Sequence, residues 1–164
     1  VSPEVTPLAA MAGVLARDLR RKPELADVQL LTDVPCGSAL AAQASAMSKR
    51  LFPRTFGGGR LALLVSGTTV LGYIVFNQAW NLDHQKCLRV LQVAVGEDHR
   101  GRGLGSRLVR WAIEQAQEQG FTAVNLDALR AAVPFYEALG FYKLMPEMEE
   151  VMPFYEYWPM EFAV

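Results

Sequence analysis

Residues 93–109 read VAVGEDHRGRGLGSRLV. Glycines stand at alternate positions between an apolar run and a segment with helical periodicity: Gly101, Gly103 and Gly105. Arg100 and Arg102 are interleaved with them. The first N–H groups of a helix and its dipole attract anions, and missing Cβ atoms let a diphosphate approach the backbone. The pattern predicts a phosphate-binding turn, and a solvated turn with arginines for solubility is the alternative.

The glycine spacing excludes two common nucleotide sites. The dinucleotide fingerprint G-x-G-x-x-G needs glycine at position 106, where the chain has Ser106. The P-loop pattern G-x-x-x-x-G-K-[ST] needs a lysine that does not follow here. Hydride transfer and nucleotide hydrolysis are therefore poor fits.

Composition is that of one globular domain over residues 1–164, with 51% hydrophobic and 20% charged residues. The net charge of −1 argues against a nucleic-acid partner. Cys36 and Cys87 form no C-x-x-C motif and are expected to be buried, reduced thiols, with a disulfide or a metal site as the alternative. His84 and His99 are isolated, so no metal site is expected.

A cytoplasmic protein without a membrane partner is expected. No apolar run approaches the ~20 residues of a membrane span. In residues 1–22 the charges follow the apolar part, which is the reverse of the order in a signal peptide.

Periodicity predicts strand–helix alternation in the second half of the chain and a hairpin in the first. The predicted helices are residues 8–21, 38–51, 104–119 and a short one within AAVPFYEAL. The predicted strands are RLALLV, TVLGYIVFNQAW, CLRVLQVAV, FTAVNLDA, FYKLM and FYEYWPMEFAV. The first strand is either residues 1–5 or DVQLLTDV. An α/β domain with a mixed sheet follows.

Two motifs in order resemble the GNAT N-acetyltransferase superfamily. The first is its acetyl-CoA motif [QR]-x-x-G-x-[GA], which here spans Arg100 to Gly105. The second is its A-x-x-FYexxGF segment, carried by Ala132, Phe135, Tyr136, Glu137, Gly140 and Phe141. The resemblance covers about residues 60–145. It implies a three-layer α/β sandwich whose mixed, mostly antiparallel sheet has six or seven strands.

The resemblance implies that three segments of this single domain have different roles. Residues 1–58 would form the variable acceptor side, residues 60–145 the acetyl-CoA-binding core, and residues 146–164 the C-terminal strand. Activity would be transfer of the acetyl group of acetyl-CoA to a primary amine, without a metal. A non-catalytic acyl-CoA-binding domain and a transferase with another acyl-CoA donor are the alternatives.

The resemblance also assigns roles to residues. The strand of Val93, Ala94 and Val95 would splay from its neighbour and bind the pantetheine arm. The pyrophosphate would lie on Arg100, Gly101, Arg102, Gly103, Leu104, Gly105 and Ser106. Ala132 and Phe135 would pack on the arm, and Tyr136 would be the general acid that protonates the leaving thiolate, with a packing role as its alternative.

The chain departs from the family pattern at two positions. Leu129 stands where the family often has asparagine, so a cofactor hydrogen bond would be lost or taken over by Asp127 or Arg130. Arg89 stands where histone-acetyltransferase-like members carry a glutamate base. The general base stays open among Glu97, Asp98, Asp83, His84 and a water chain.

Acceptor recognition is expected from the N-terminal helices, the loop FPRTFGGGR and the last hairpin. The tail FYEYWPMEF alternates aromatic and acidic residues. Such alternation is typical of a half-buried final strand or a dimer edge, and a cation–π surface for an amine is the other interpretation. Pro153 and Pro159 favour an edge position. GNAT domains frequently dimerise, so a homodimer is one expectation.

Overall fold

The computed structural model describes residues 27–35, 37–48 and 59–164. Their elements are, in order, β1 (Gln29–Leu31), α1 (Ala39–Met47), β2 (Arg60–Ser66), β3 (Thr69–Trp80), β4 (Lys86–Val95), α2 (Leu104–Glu118), β5 (Ala123–Leu129), α3 (Val133–Ala138), β6 (Tyr142–Lys143), α4 (Met148–Val151) and β7 (Tyr157–Ala163). Short 3-10 turns at Glu97–His99 and Arg130–Ala132 precede α2 and α3. None of the helices within these ranges is long and apolar enough to cross a membrane.

The strands form a seven-stranded sheet in the order β1-β2-β3-β4-β5-β7-β6. β4 and β5 are parallel. The pairs β1–β2, β5–β7 and β6–β7 are antiparallel. The mixed sheet with interspersed helices confirms the α/β fold that the sequence predicts.

Two sequence predictions for the N-terminal half can be compared with the structure. β1 pairs Gln29 with Val65 and Leu31 with Leu63, so a first strand lies within DVQLLTDV. The helix predicted over 38–51 is observed from Ala39 to Met47. The helix predicted over 8–21, the alternative strand at 1–5, Cys36 and most of the loop FPRTFGGGR lie outside the described residues.

The chain divides into two compact units. Among the described residues, the first unit contains those up to Val75 together with Val93–Leu108, and the second contains Phe76–Gln92 and Val109–Val164. One domain over 1–164 stays a prediction.

The core of the first unit forms between α1 and one face of β2. Ser38 begins the helix by accepting the N–H of Ala41 at 3.2 Å, a typical N-cap. Ala41 and Ala44 lie one helical turn apart, and both are buried. They pack in one cluster with alternate residues of β2, Leu61, Leu63 and Val65, because successive side chains of a strand point to opposite faces.

The end of β4 is held closely against β3 within the first unit. The N–H of Gly96 donates to the carbonyl oxygen of Leu71 at 2.8 Å. A Cβ at Gly72 would lie 2.8 Å from the carbonyl oxygen of Ala94, so no larger residue fits there without displacing backbone. This close approach holds the last residues of β4 beside β3. The residues that follow, 100–106, form the turn into α2, which we call the glycine turn.

The second unit is built around β5 and β7. They pair over seven residues, from Ala123 with Ala163 to Leu129 with Tyr157. β7 is therefore an interior strand between β5 and β6, and the expected edge position of the last strand is wrong. Chain order did not reveal this, because β7 inserts between two strands that precede it in sequence.

The cation–π surface expected on the tail is not available at Trp158. Its side chain is 1% exposed. The chain's own cations cover the ring, Arg130 at 5.0 Å and Lys143 at 4.9 Å from its centroid. Tyr155 and Tyr157 remain exposed.

Candidate functional site

The turn between β4 and α2 has two residues in the left-handed region. φ is 75° at Gly101 and 77° at Gly103. A Cβ built at either position would meet no atom within 4 Å, so backbone conformation and not crowding requires glycine. Left-handed residues within a turn direct successive N–H groups to one side, and such concavities bind anions.

Helix α2 begins directly after this turn. The N–H of Arg107 donates to the carbonyl oxygen of Gly103 at 3.0 Å, which is the first helical hydrogen bond. The N–H groups of Leu104, Gly105 and Ser106 therefore have no carbonyl partner in the helix. Together with the positive end of the helix dipole, they form a site suited to phosphate.

The arginines of the turn have different surroundings. The Nη1 of Arg102 is buried and has no hydrogen-bond partner in the described part of the chain. The Nε of Arg100 donates to the carbonyl oxygen of Val95 at 3.3 Å. The Nη2 of Arg107 donates to the carbonyl oxygen of Val28 at 3.3 Å, so this arginine helps to hold α2 in the first unit. Because a buried N–H without an acceptor is costly, Arg102 fits an anionic ligand best.

Val93, Ala94 and Val95 are half-buried at the end of β4. The carbonyl of Ala94 and the N–H of Gly96 lie on the β3 side. Backbone groups of successive residues in a strand alternate between its two edges. The N–H and C=O groups of Val93 and Val95 therefore point to the opposite edge of β4.

The other predicted site residues lie in the second unit. Ala132 is the N-cap residue of α3. Phe135 is exposed and Tyr136 is half-buried. The Tyr136 ring makes edge contacts with Phe135 and with Phe141, at centroid distances of 4.9 Å and 5.6 Å. These contacts fix the ring plane, so Tyr136 has a packing role whatever its hydroxyl does.

In the second unit, β4 and β5 pair only near their starts. The parallel register joins Cys87 to Ala123, Leu88 to Val124 and Arg89 to Asn125. The register ends there, although β5 continues to Leu129. We call the place after Arg89 and Asn125 the fork. The splay that the resemblance implies at Val93, Ala94 and Val95 stays a prediction.

The profile of the Acetyltransferase (GNAT) family matches residues 34–141, more than half of the chain. The chain belongs to the GNAT acetyltransferase family.

Relatives by sequence match parts of this GNAT chain. It is 36% identical to human N-acetyltransferase 8B over 62 residues, which cover 36% of this chain and 27% of the relative. It is 33% identical over 82 residues to an uncharacterized N-acetyltransferase of Methanocaldococcus jannaschii, covering 47% of this chain and 36% of the relative. These matches thus span between about a quarter and just over a third of the relatives' lengths.

Solved structures share the GNAT fold. Arabidopsis thaliana Naa50, in complex with the bisubstrate analogue CoA-Ac-MVNAL, superposes with a TM-score of 0.65 at 16% identity, covering 84% of this chain and 99% of that one. A GNAT acetyltransferase from Elizabethkingia anophelis with acetyl-CoA bound gives 0.63 at 14% identity, with the same coverage.

The two residues considered as substitutes for the missing asparagine are engaged elsewhere in this GNAT chain. Asp127 accepts from the Nη2 of Arg89 at 2.6 Å. Arg130 donates to the carbonyl oxygens of Pro153 and Tyr155 at 2.8 Å and 3.2 Å. Neither side chain is poised to replace the asparagine, and the Leu129 side chain is exposed without a polar atom.

The candidate bases lie on exposed turns. Glu97 and Asp98 are exposed on the 3-10 turn after β4. Asp83 and His84 are exposed between β3 and β4, in a turn where the side-chain oxygen of Asn81 accepts the N–H groups of Asp83 and Gln85. No group of three or more acidic, histidine or cysteine side chains in the described ranges is placed to hold a metal ion.

Glu161 on β7 is a further titratable residue, which no sequence motif singles out. Burial is the first cause of its raised pKa, and the negative charge of Asp83 adds to it. A hydrogen bond from Tyr142 opposes the rise. Its neighbours come from β6 and a distant turn, so no local motif could have indicated this environment.

We expect Glu161→Gln to stabilise the protein at pH 7. Because the folded-state pKa of Glu161 is raised, the folded protein retains a proton that the unfolded chain loses above pH ~4.3. The free energy of unfolding of the wild type therefore falls as pH rises from about 4.3 through the raised pKa of Glu161. Glutamine does not titrate, so the variant lacks this loss. Urea unfolding should give a higher free energy of unfolding for Glu161→Gln than for the wild type at pH 7, and no difference below pH ~4.

Glu114→Gln, which removes the same charge from the exposed face of α2, controls for the change in net charge. Equal effects of Glu161→Gln at both pH values would contradict the assignment.

Proposed function

We propose that this GNAT protein transfers the acetyl group of acetyl-CoA to a primary amine of a small molecule or peptide. The observation that carries the proposal is the buried Nη1 of Arg102, which has no hydrogen-bond partner among the described residues and lies beside two left-handed glycines at the start of α2. A buried cationic donor of this kind, next to free helix N–H groups, fits a pyrophosphate.

The residues of the glycine turn would hold the phosphates. Arg102 supplies charge-assisted hydrogen bonds, and the N–H groups of Gly103 to Ser106 supply neutral donors. Arg100 lies on the same turn and adds positive charge. Gly101 contributes through its backbone conformation, since a side chain there would be strained.

The end of β4 would receive the pantetheine arm. The backbone groups of Val93 and the N–H of Val95 point away from β3 and would pair with an extended ligand that carries amide groups, whereas the carbonyl oxygen of Val95 already accepts from the Nε of Arg100. Such a ligand pairs with a strand edge as an added strand does. Ala132 and the exposed Phe135 would pack against the arm.

Acetyl-CoA supplies an activated thioester when it is bound. The N–H of Val93 would donate to the acyl carbonyl oxygen, whose negative charge grows as the amine attacks. Tyr136 would protonate the departing sulfur through its phenol. The attacking amine would lose its proton to a water chain or to one of the exposed carboxylates near the turns.

The acceptor is proposed as a class only. The peptide portion of the analogue bound by the Arabidopsis protein supports a peptide amine, and the relatives' names support N-acetylation in general. The covered ring of Trp158 removes one cation–π surface for a cationic acceptor. Exposed Tyr155 and Tyr157 keep the tail as a candidate acceptor surface.

Two other functions share the same cofactor site. A domain that binds acyl-CoA without turnover would use the glycine turn and not Tyr136. A transferase with a longer acyl donor would use both. A cytoplasmic location, a homodimer and the absence of a nucleic-acid partner stay predictions from the sequence.

We expect calorimetric titration to detect binding of acetyl-CoA and CoA, and much weaker binding of ATP and NAD. Gly103→Glu should weaken CoA binding by at least about tenfold, because it adds a negative charge and a strained φ to the phosphate site. Gly37→Glu is the matched control, since a Cβ there meets nothing within 4 Å and its φ is not left-handed.

Equal affinity of the wild type for all four nucleotides would remove the basis of the proposal. Loss of CoA binding in Gly37→Glu as well as Gly103→Glu would also count against it.

We expect Tyr136→Phe to lower kcat by about 10²-fold while the Kd for acetyl-CoA stays the same, because the ring is kept and the proton donor is lost. Thiol release with a panel of amines measures kcat, and calorimetry measures Kd. An unchanged kcat would exclude Tyr136 as the general acid.

A further inference from the structure

Three side-chain hydrogen bonds join β4 to β5 at the fork. Nδ2 of Asn125 donates to Sγ of Cys87 at 3.0 Å, and Oδ1 of Asn125 accepts from Nη1 of Arg89 at 3.2 Å. Nη2 of Arg89 donates to Oδ2 of Asp127 at 2.6 Å. We call these four residues the fork network.

The orientation of the Asn125 amide is fixed by its two partners. Asn125 is 9% exposed and is the buried polar residue of the described chain, so both ends of its amide need partners. Arginine can only donate, which places Oδ1 toward Arg89 and leaves Nδ2 for the sulfur of Cys87. Burial raises the pKa of the Cys87 thiol, so the sulfur stays neutral.

The last bond of the network lies beyond the last backbone pair. Arg89 and Asn125 are the final residues that β4 and β5 pair. Asp127 lies two residues further along β5, on the same face as Asn125. The Arg89–Asp127 ion pair therefore links β4 to the part of β5 that has already left it.

At this point β5 is also held on the edge that faces away from β4. β5 pairs with β7 along its whole length, from Ala123 to Leu129. On the edge of β5 that faces β4, the Arg89–Asp127 ion pair joins the two strands two residues beyond Asn125, where the backbone pairing ends. Arg89 uses two nitrogens of its planar guanidinium, one toward Asn125 and one toward Asp127. Two such bonds restrain the orientation of β5 relative to Arg89 as well as the distance between them.

We propose that the fork network fixes the direction of β4 at Arg89, and thereby positions the next residues of the same strand, Val93 and Val95, for the pantetheine arm. Arg89 and Asp127 are positioning residues in this scheme, since they act through the β4 backbone. The inference rests on the proposed acetyl-CoA site. It gives a role to Arg89, which stands where some relatives of this family have an acidic base.

Stability alone does not account for such a pair. The side chains of Arg89 and Asp127 are 34% and 46% exposed, and exposed ion pairs contribute only about 0–1 kcal/mol. Removing Asp127 should therefore leave the fold intact. The loss of Asp127 should instead weaken binding of the pantetheine arm, which is the part of the ligand proposed to pair with β4.

The test compares two ligands by calorimetry in the full chain. Acetyl-CoA has a pantetheine arm, whereas 3′-phospho-ADP is the nucleotide half alone and reports on the glycine turn. Asp127→Ala should raise the Kd for acetyl-CoA about tenfold and change the Kd for 3′-phospho-ADP by less than about twofold. Asp127→Asn should have a smaller effect, because its amide oxygen still accepts from Arg89.

Glu149→Ala is the matched control. It removes an exposed carboxylate of the same unit that contacts Lys143 and Arg130 at 3.4 Å and 3.8 Å, and both Kd values should stay unchanged. Asp127→Asn keeps the test valid if the alanine variant does not fold, with a thermal unfolding scan on each protein.

The outcomes separate the two proposals. An unchanged Kd for acetyl-CoA in both Asp127 variants, or an equal loss for both ligands, would overturn the role of the fork network alone. A wild type that binds neither ligand would overturn the acetyl-CoA site and this inference with it.

Discussion

The parallel pairing of β4 with β5 stops after three residues, and the proposed cofactor site rests on that limit. β5 pairs with β7 over seven residues, so beyond Asn125 it continues beside β7 to Leu129. A strand edge without a neighbouring strand is a template for an extended ligand. In the proposed site, Val93 and Val95 are the residues of β4 whose backbone groups would pair with the pantetheine arm.

The glycine turn forms the phosphate end of the proposed cofactor site, through backbone conformation and charge instead of strand pairing. The left-handed φ values at Gly101 and Gly103 strongly favour glycine, and left-handed residues in a turn form concavities that bind anions. Nη1 of Arg102 is buried there without a hydrogen-bond partner among the described residues. A buried donor beside the free N–H groups at a helix start favours an anionic ligand.

Local signals explain what the sequence could predict. The spacing of Gly101, Gly103 and Gly105 and the apolar stripe of α2 depend on neighbours within a few residues, so both were predictable. The fork network was not, because Cys87 and Arg89 alternate on one strand and Asn125 and Asp127 on another. Nothing local indicates that these two strands are neighbours across a helix. The interior position of β7 was missed for the same reason, since strand order in a sheet does not follow chain order.

Residue-resolved amide hydrogen exchange with and without acetyl-CoA tests the proposed cofactor site. Acetyl-CoA should slow exchange at Val93 and Val95, whose N–H groups point away from β3, and at the amides of Gly101 to Ser106. Amides of α1 should exchange at the same rate in both samples. Unchanged exchange at Val93, Val95 and the glycine turn, despite saturating ligand, would show that acetyl-CoA does not bind there.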